Sequence, residues 1–204
     1  MIFFHGGGGI GLAVIGNSDQ NNGMNQRMHL YLTGYRGTGK STVGRLLADR
    51  MGRQCVDLDD LIEANTGQSI RQIFDHGGEE LFRRYECDAL VEVAQGEAGV
   101  IALGGGAILK PENRHAISRT GHCFWLDADA ETLLGRLRGD VSTCERRPPL
   151  TDLSELSEIQ EMLKVRRPIY AEASHWRIDV SDHSPEQIAI EIYDRWCELQ
   201  GSSE

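Results

Sequence analysis

No stretch of this 204-residue sequence is apolar over the roughly 18 residues that a membrane-spanning helix requires, so no membrane partner is expected. A basic excess is missing too. Against 21 lysines and arginines stand 31 aspartates and glutamates, a formal charge of −10. That balance excludes a general nucleic-acid binder, and any anion site has to come from a local gathering of arginines. Cysteine is sparse: the five residues Cys55, Cys87, Cys123, Cys144 and Cys197 are dispersed, odd in number and form no C-x-x-C pair. Reduced thiols in a cytosol fit this better than disulfides or zinc. There is no N-K-x-D, so the D-x-x-G at Asp75 to Gly78 is not read as a guanine-nucleotide switch. Internal repeats are absent as well. The length allows one α/β domain with a substantial core and is too short for two.

What is present begins at His29. The run HLYLTGYRGTGKST (29–42) places a short apolar strand before Gly34, Gly39, Lys40 and Ser41, which satisfy G-x-x-x-x-G-K-[ST]. Glycines open backbone angles closed to other residues and leave no Cβ between main-chain N–H groups and a polyphosphate. Lys40 suits the β and γ phosphates, and the Ser41 hydroxyl is a hard oxygen suited to magnesium. Val43, Leu46, Leu47 and Met51 follow at helical spacing, with Gly52 as a stop, so the loop ends on a helix N-terminus that favours negative charge. Nucleoside triphosphate binding is the expectation.

Before this unit, residues 1–27 differ in composition, with Gly6 to Gly9 consecutive and Asn17 to Asn25 almost wholly polar; a disordered extension is expected, with Met24 or Met28 an alternative start. The G-x-G-x-x-G match at Gly6, Gly8 and Gly11 has no strand before it and no amphipathic helix after it. After the loop helix, CVDLDDLIE (55–63) ends a short strand in acids. Asp57 and Asp59 lie on one side of an extended chain and could serve metal or substrate; the plainer alternative makes Asp59 or Asp60 a helix cap. Ser69 to Phe74 reads as a short helix, Gly77-Gly78 as a break, and Glu79 to Gln95 as a longer helix in which Arg83 and Glu86 share a face. Gly99 to Leu103 resembles a buried parallel strand running into Gly104, Gly105 and Gly106, where a ligand can lie against backbone. Helices are expected at Lys110 to Ser118, Asp129 to Arg138, Ser154 to Glu172 (kinked or interrupted at Pro168) and Pro185 to Leu199, with strands at Cys123 to Leu126 and Trp176 to Val180. Polar Gly139 to Asp152 reads as a mobile, cationic flap. Alternating strands and helices imply a parallel sheet between helices.

Taken in order, the phosphate loop, Asp57/Asp59, FRRYE (82–86), ALGGGA (102–107), the Arg-Pro flap and RRPIY (166–170) resemble shikimate kinase over about residues 28–198. The resemblance implies a P-loop fold like that of nucleoside monophosphate kinases: a three-layer α/β sandwich with a five-stranded parallel sheet and a mobile lid at about 139–153. Residues 28–199 would form one domain and 200–204 a tail. It implies transfer of the ATP γ-phosphate to the 3-hydroxyl of shikimate, the fifth step toward chorismate and the aromatic amino acids, by a cytoplasmic monomer using ATP and Mg²⁺. Matched residue by residue, Gly37, Thr38, Gly39, Lys40, Ser41 and Thr42 would hold the phosphates, Ser41 and Asp57 the metal. Asp59 would contact the shikimate hydroxyls as base or orienter. Arg83 and Arg166 would clamp the carboxylate, with Glu86 organising Arg83 and Gly104, Gly105 and Gly106 behind the ring. Arg147 would be the lid arginine that closes on the phosphates, and Pro185 would pack adenine.

Three positions depart from the pattern. The lid reads Arg147-Pro148-Pro149-Leu150, with an extra proline; the spacing to Arg138 is longer than usual, leaving Arg136 and Arg138 both candidates for adenine; and His183 stands where arginine is frequent. The alternatives are a gluconate kinase of the same fold, or a silent nucleotide-binding module.

Overall fold

The computed structural model describes residues 28–139 and 155–201, so the expected extension before Met28 and nearly all of the expected lid, Arg147 included, lie outside the described residues. Five strands, β1 (His29–Thr33), β2 (Cys55–Asp57), β3 (Val100–Ala102), β4 (Gly121–Asp127) and β5 (Trp176–Asp179), form one sheet in the order β2-β3-β1-β4-β5. Every pairing is parallel. Parallel neighbours need crossovers, and helices supply them. They are α1 (Lys40–Met51), α2 (Leu58–Thr66), α3 (Ile70–Gln95), α4 (Pro111–Thr120), α5 (Ala130–Gly139) and α6 (Glu155–Ala173), and a last helix, α7 (Pro185–Gly201), follows β5.

β1 lies at the centre and all five of its residues are buried, which is why it can be almost wholly apolar. Successive side chains still part to opposite faces. Leu30, Leu32, Phe124 and Leu126 pack with Val43 and Leu47 of α1 and Ile188 and Ile192 of α7. Tyr31, Ile101, Cys123 and Trp125 join Ile62 of α2, Phe82 and Leu90 of α3 and Ile117 of α4. The result is the three-layer sandwich expected.

Register sets the functional edge. Leu32 and Asp57 both pair with Ala102, and Thr33 pairs with Trp125, so the chain leaves β1, β2 and β3 at one level. Leu103 N–H donates to Leu32 O at 2.9 Å and holds the glycine triplet beside the phosphate loop. Open α/β sheets take their ligands at this edge.

Element ends differ from expectation in instructive ways. The two helices expected around Gly77-Gly78 form one span that breaks at Gly78 (φ 65°, ψ −164°), and Ser69 opens it with a reciprocal capping box to Gln72. Pro168, expected to kink or interrupt α6, does not interrupt it: the helix runs through it. Pro168 and Lys164, whose carbonyl loses its helical donor there, are both exposed, so water can serve that carbonyl. The cap assigned to Asp59 or Asp60 belongs to Asp57, whose Oδ1 accepts from Asp59 N–H at 3.0 Å. α7 runs two residues past Leu199, to Gly201.

The opposite edge of the sheet carries histidines that are built in neutral. His29 Nδ1 accepts from Gly99 N–H at 3.2 Å and His175 Nδ1 from Cys123 N–H at 3.1 Å. His122 lies edge-on to His175, with ring centroids 4.9 Å apart. Burial lowers all three pKa values from 6.5, with the Arg53 charge adding to the effect at His29 and His175 adding to it at His122. Because the folded values are depressed, the stabilisation is complete above the unfolded value near 6.5 and is lost as pH falls from there through the folded values. The melting temperature is therefore expected to drop between pH 7.5 and pH 5.5, and His122→Phe, which keeps the ring, should flatten that slope. A melting temperature constant over this range would refute the assignment.

Candidate active site

The phosphate loop runs from Gly34 to Gly39, where Gly37 (φ 81°) and Gly39 (φ 86°) take left-handed angles that turn main-chain N–H groups inward. α1 begins directly after, and its first turn holds no acidic residue to compete with an anion. Thr38 is buried, with its hydroxyl donating to Tyr35 O at 2.9 Å, while Thr42 is exposed. Lys40 Nζ curls back over the loop and donates to Gly34 O (3.0 Å) and Tyr35 O (2.9 Å). It is parked on carbonyls that a phosphate would replace. Ser41 Oγ donates to Asp57 Oδ2 at 2.5 Å, so two hard oxygens sit together beside the nest. That donor pair, next to a phosphate cradle, fits magnesium.

One cavity of about 260 Å³ joins this loop to the glycine triplet, lined by Gly37, Gly39, Lys40, Ser41 and Thr42 and also by Asp59, Gly104, Gly105 and Arg136. Broader hollows of about 660 and 800 Å³ lie around Arg53 and Gly96 at the far edge of the sheet, where no phosphate loop meets them.

Behind the cavity the glycine triplet threads between charged side chains. A Cβ on Gly104 would lie 2.5 Å from Glu86 Oε1 and 3.1 Å from Asp59 Oδ1; one on Gly106 would lie 2.3 Å from an Arg83 guanidinium nitrogen. No side chain fits at those two positions without displacing these groups. Arg83 binds Glu86 at 2.6 Å and Glu79 at 2.9 Å. Burial opposes its charge, but the two carboxylates outweigh that and raise its pKa. Arg166 is 8% exposed and points its Nη1 toward Gly105 O at 3.4 Å. Among the described residues, no carboxylate pairs with it. Tyr170 donates its hydroxyl to the same carbonyl at 2.6 Å, and burial pushes its pKa up to about 12.

Thr38, Arg83, Glu86, Gly106 and Arg166 do not line the cavity themselves. Pro185 begins α7, half-buried, and is not among the residues lining the cavity. Arg147 lies outside the described residues. Geometry separates Arg136 from Arg138: Arg136 lines the cavity and donates to Val180 O at 2.5 Å, whereas Arg138 turns out to an exposed pair with Glu155.

Sequence reasoning missed several supports. Arg36, inside the loop, pairs at 3.4 Å with Glu158 of α6, a carboxylate only 4% exposed. Asp127, buried at the end of β4, holds Arg167 (3.3 Å) and Arg177 (2.7 Å) and so anchors the helix that carries Arg166. Tyr170 and Tyr35 stood in quoted motifs without a role.

The family model for shikimate kinase matches residues 36–196. A shikimate kinase of Rhodopirellula baltica is 46% identical over 172 residues, covering 84% of this chain and 92% of that protein. One of Symbiobacterium thermophilum is 45% identical over 168 residues, covering 82% and 95%. Among solved structures, the shikimate kinase of Acinetobacter baumannii in complex with shikimate aligns with a TM-score of 0.80 at 33% identity, covering 90% of this chain and 99% of that one. A gluconokinase of Sinorhizobium meliloti aligns at 0.61 with 17% identity, a likeness of fold alone. On the extent of these matches, the chain belongs to the shikimate kinase family.

Proposed function

We infer that this chain transfers the γ-phosphate of ATP to the 3-hydroxyl of shikimate, giving shikimate 3-phosphate and ADP on the route to chorismate. The observation that carries the reading is Arg166: a buried guanidinium with no carboxylate of its own among the described residues, aimed at the glycine triplet beside a phosphate nest. A small ring acid supplies the missing carboxylate.

In this reading Arg83 and Arg166 hold the carboxylate from two sides, and Glu86 fixes the Arg83 fork. Asp59 accepts the hydrogen bond of the reacting hydroxyl. Gly37 to Thr42 take the phosphates on main-chain N–H groups and the Ser41 and Thr42 hydroxyls, and Lys40 swings from its two carbonyls to neutralise them. Ser41 and Asp57 hold Mg²⁺, which, when bound, offsets the charge on the transferring phosphoryl group. Arg136, lining the cavity, is better placed for the adenine end than Arg138. Arg147 closes the lid by the family resemblance, excluding water from the transfer. Residues 28–199 act as one unit, in the cytoplasm and as a monomer.

A coupled ADP-release assay with shikimate, gluconate and AMP as acceptors tests the reading. Turnover is expected with shikimate alone. Turnover of gluconate without shikimate would assign the chain to the rival kinase, and ATP binding without any turnover to a silent module.

A further inference from the structure

Tyr35 is the one aromatic residue of the phosphate loop, and its two ends do different work. Its carbonyl accepts from Lys40 Nζ and from the Thr38 hydroxyl, each at 2.9 Å. The residue is 2% exposed, and two guanidinium groups approach its ring, with the central carbon of Arg36 at 5.7 Å from the centroid and that of Arg166 at 5.8 Å. Both fall within the range of cation–π attraction. The phenol hydroxyl, by contrast, is buried with no hydrogen-bond partner among the described residues. A buried hydroxyl left so is a cost that a purely apolar side chain avoids, so the position uses the ring and not the oxygen.

What the ring does follows from how the two clamp arginines are held. Arg83 is fixed by carboxylates, Glu86 at 2.6 Å and Glu79 at 2.9 Å, which orient it and also offset its charge. Among the described residues Arg166 meets neutral groups instead: Gly105 O at 3.4 Å, the Tyr170 hydroxyl and the Tyr35 ring face. A π face orients a guanidinium without neutralising it, so the charge stays available for an incoming anion.

We propose that Tyr35 is a positioning residue for the acceptor: its ring holds the Arg166 guanidinium against Gly105 with its charge unspent, ready for the acceptor's carboxylate. The proposal rests on the shikimate reading above. It separates the acceptor from the nucleotide, although Tyr35 belongs to the nucleotide loop, because the loop's own contacts to Lys40 and Thr38 run through the Tyr35 backbone and survive a change of side chain.

Tyr35→Leu is expected to raise the KM for shikimate about tenfold, with the KM for ATP within about twofold of the parent and kcat nearly unchanged. Tyr35→Phe should restore the parent KM, with an equal or higher melting temperature, since it removes the unpartnered hydroxyl. In an Arg166→Lys background, the Tyr35→Leu effect on shikimate should shrink. An unchanged shikimate KM in Tyr35→Leu, an equal rise in both KM values, or failure of Tyr35→Phe to rescue would overturn the proposal. Should Tyr35→Leu fail to fold, phenylalanines of increasing fluorination installed at position 35 keep the shape while draining the ring face. A graded rise in shikimate KM is then expected, and a flat series overturns the proposal. The parent assayed alongside keeps the two ideas apart: a parent inactive on shikimate sinks the substrate reading, whereas an active parent with a flat series sinks only the role of Tyr35.

Discussion

Asp59→Asn is expected to bind ATP as the parent does and to lose turnover of shikimate by roughly 10²–10⁴-fold, the range a positioned general base contributes. The replacement is nearly isosteric, so packing at the start of α2 is preserved. The cap of that helix is undisturbed as well, because it is the Asp57 side chain that accepts from the residue 59 backbone N–H. What changes is chemistry. Asp59 lines the same cavity as Lys40 and Ser41, and its Oδ1 sits 3.1 Å from where a Gly104 Cβ would be, so it faces the ground proposed for the acceptor. A carboxylate there can accept a proton or hold the hydroxyl by a charge-assisted bond; an amide is a poor acceptor and brings two donors toward the substrate. Steady-state kinetics on shikimate beside equilibrium binding of ATP measure the split. Loss of nucleotide binding would mean that Asp59 belongs to the metal site with Asp57, and turnover within tenfold of the parent would remove it from the chemistry.

How far such a residue can be found without coordinates depends on the range of the signal. The phosphate loop, the Gly78 break and the Arg83–Glu86 pair were legible because each is written in neighbouring residues, as a turn requirement or as a helical repeat. Asp57 and Asp59 were legible as a pair but not as individuals: β2 is only three residues long, and where it ended decided which of them capped α2. The contacts that hold the Arg166 side of the site were not legible at all. Arg36 reaches Glu158 across 122 positions, and Asp127 reaches Arg167 and Arg177 across 40 and 50; these meetings are set by the strand order and leave no local trace. Arg136 and Arg138 have the same chemistry in sequence, yet two helical steps rotate them about 200° apart, so one faces the cavity and the other solvent. Pro168 marks the opposite error, a strong local rule overridden because its cost falls on an exposed turn.

Gly34→Ala should leave no folded protein, a larger effect on stability than any change to the clamp. Gly34 holds φ at 142°, a backbone region that side-chain-bearing residues rarely enter, and a Cβ there would lie 2.2 Å from Leu126 O on the neighbouring strand β4. The obstacle is backbone in the middle of the sheet, so it cannot swing aside as a side chain would. Relief requires parting β1 from β4 where Thr33 pairs with Trp125, or lifting the loop. Lifting the loop costs the site as well, because Gly34 O accepts from Lys40 Nζ and lies 3.4 Å from where a Gly105 Cβ would be. Strain of about 1–3 kcal/mol from the angle alone, added to the overlap, consumes much of the roughly 5–15 kcal/mol by which domains are stable. Gly67→Ala is the control. It too has a positive φ, 65°, but no atom lies within 4 Å of its Cβ, so it should cost only about 1–2 kcal/mol and lower the melting temperature by a few degrees. Circular dichroism and thermal melts of the two variants separate angle from overlap: a Gly34→Ala protein melting as close to the parent as Gly67→Ala would mean that the loop does not cross Leu126 at this distance.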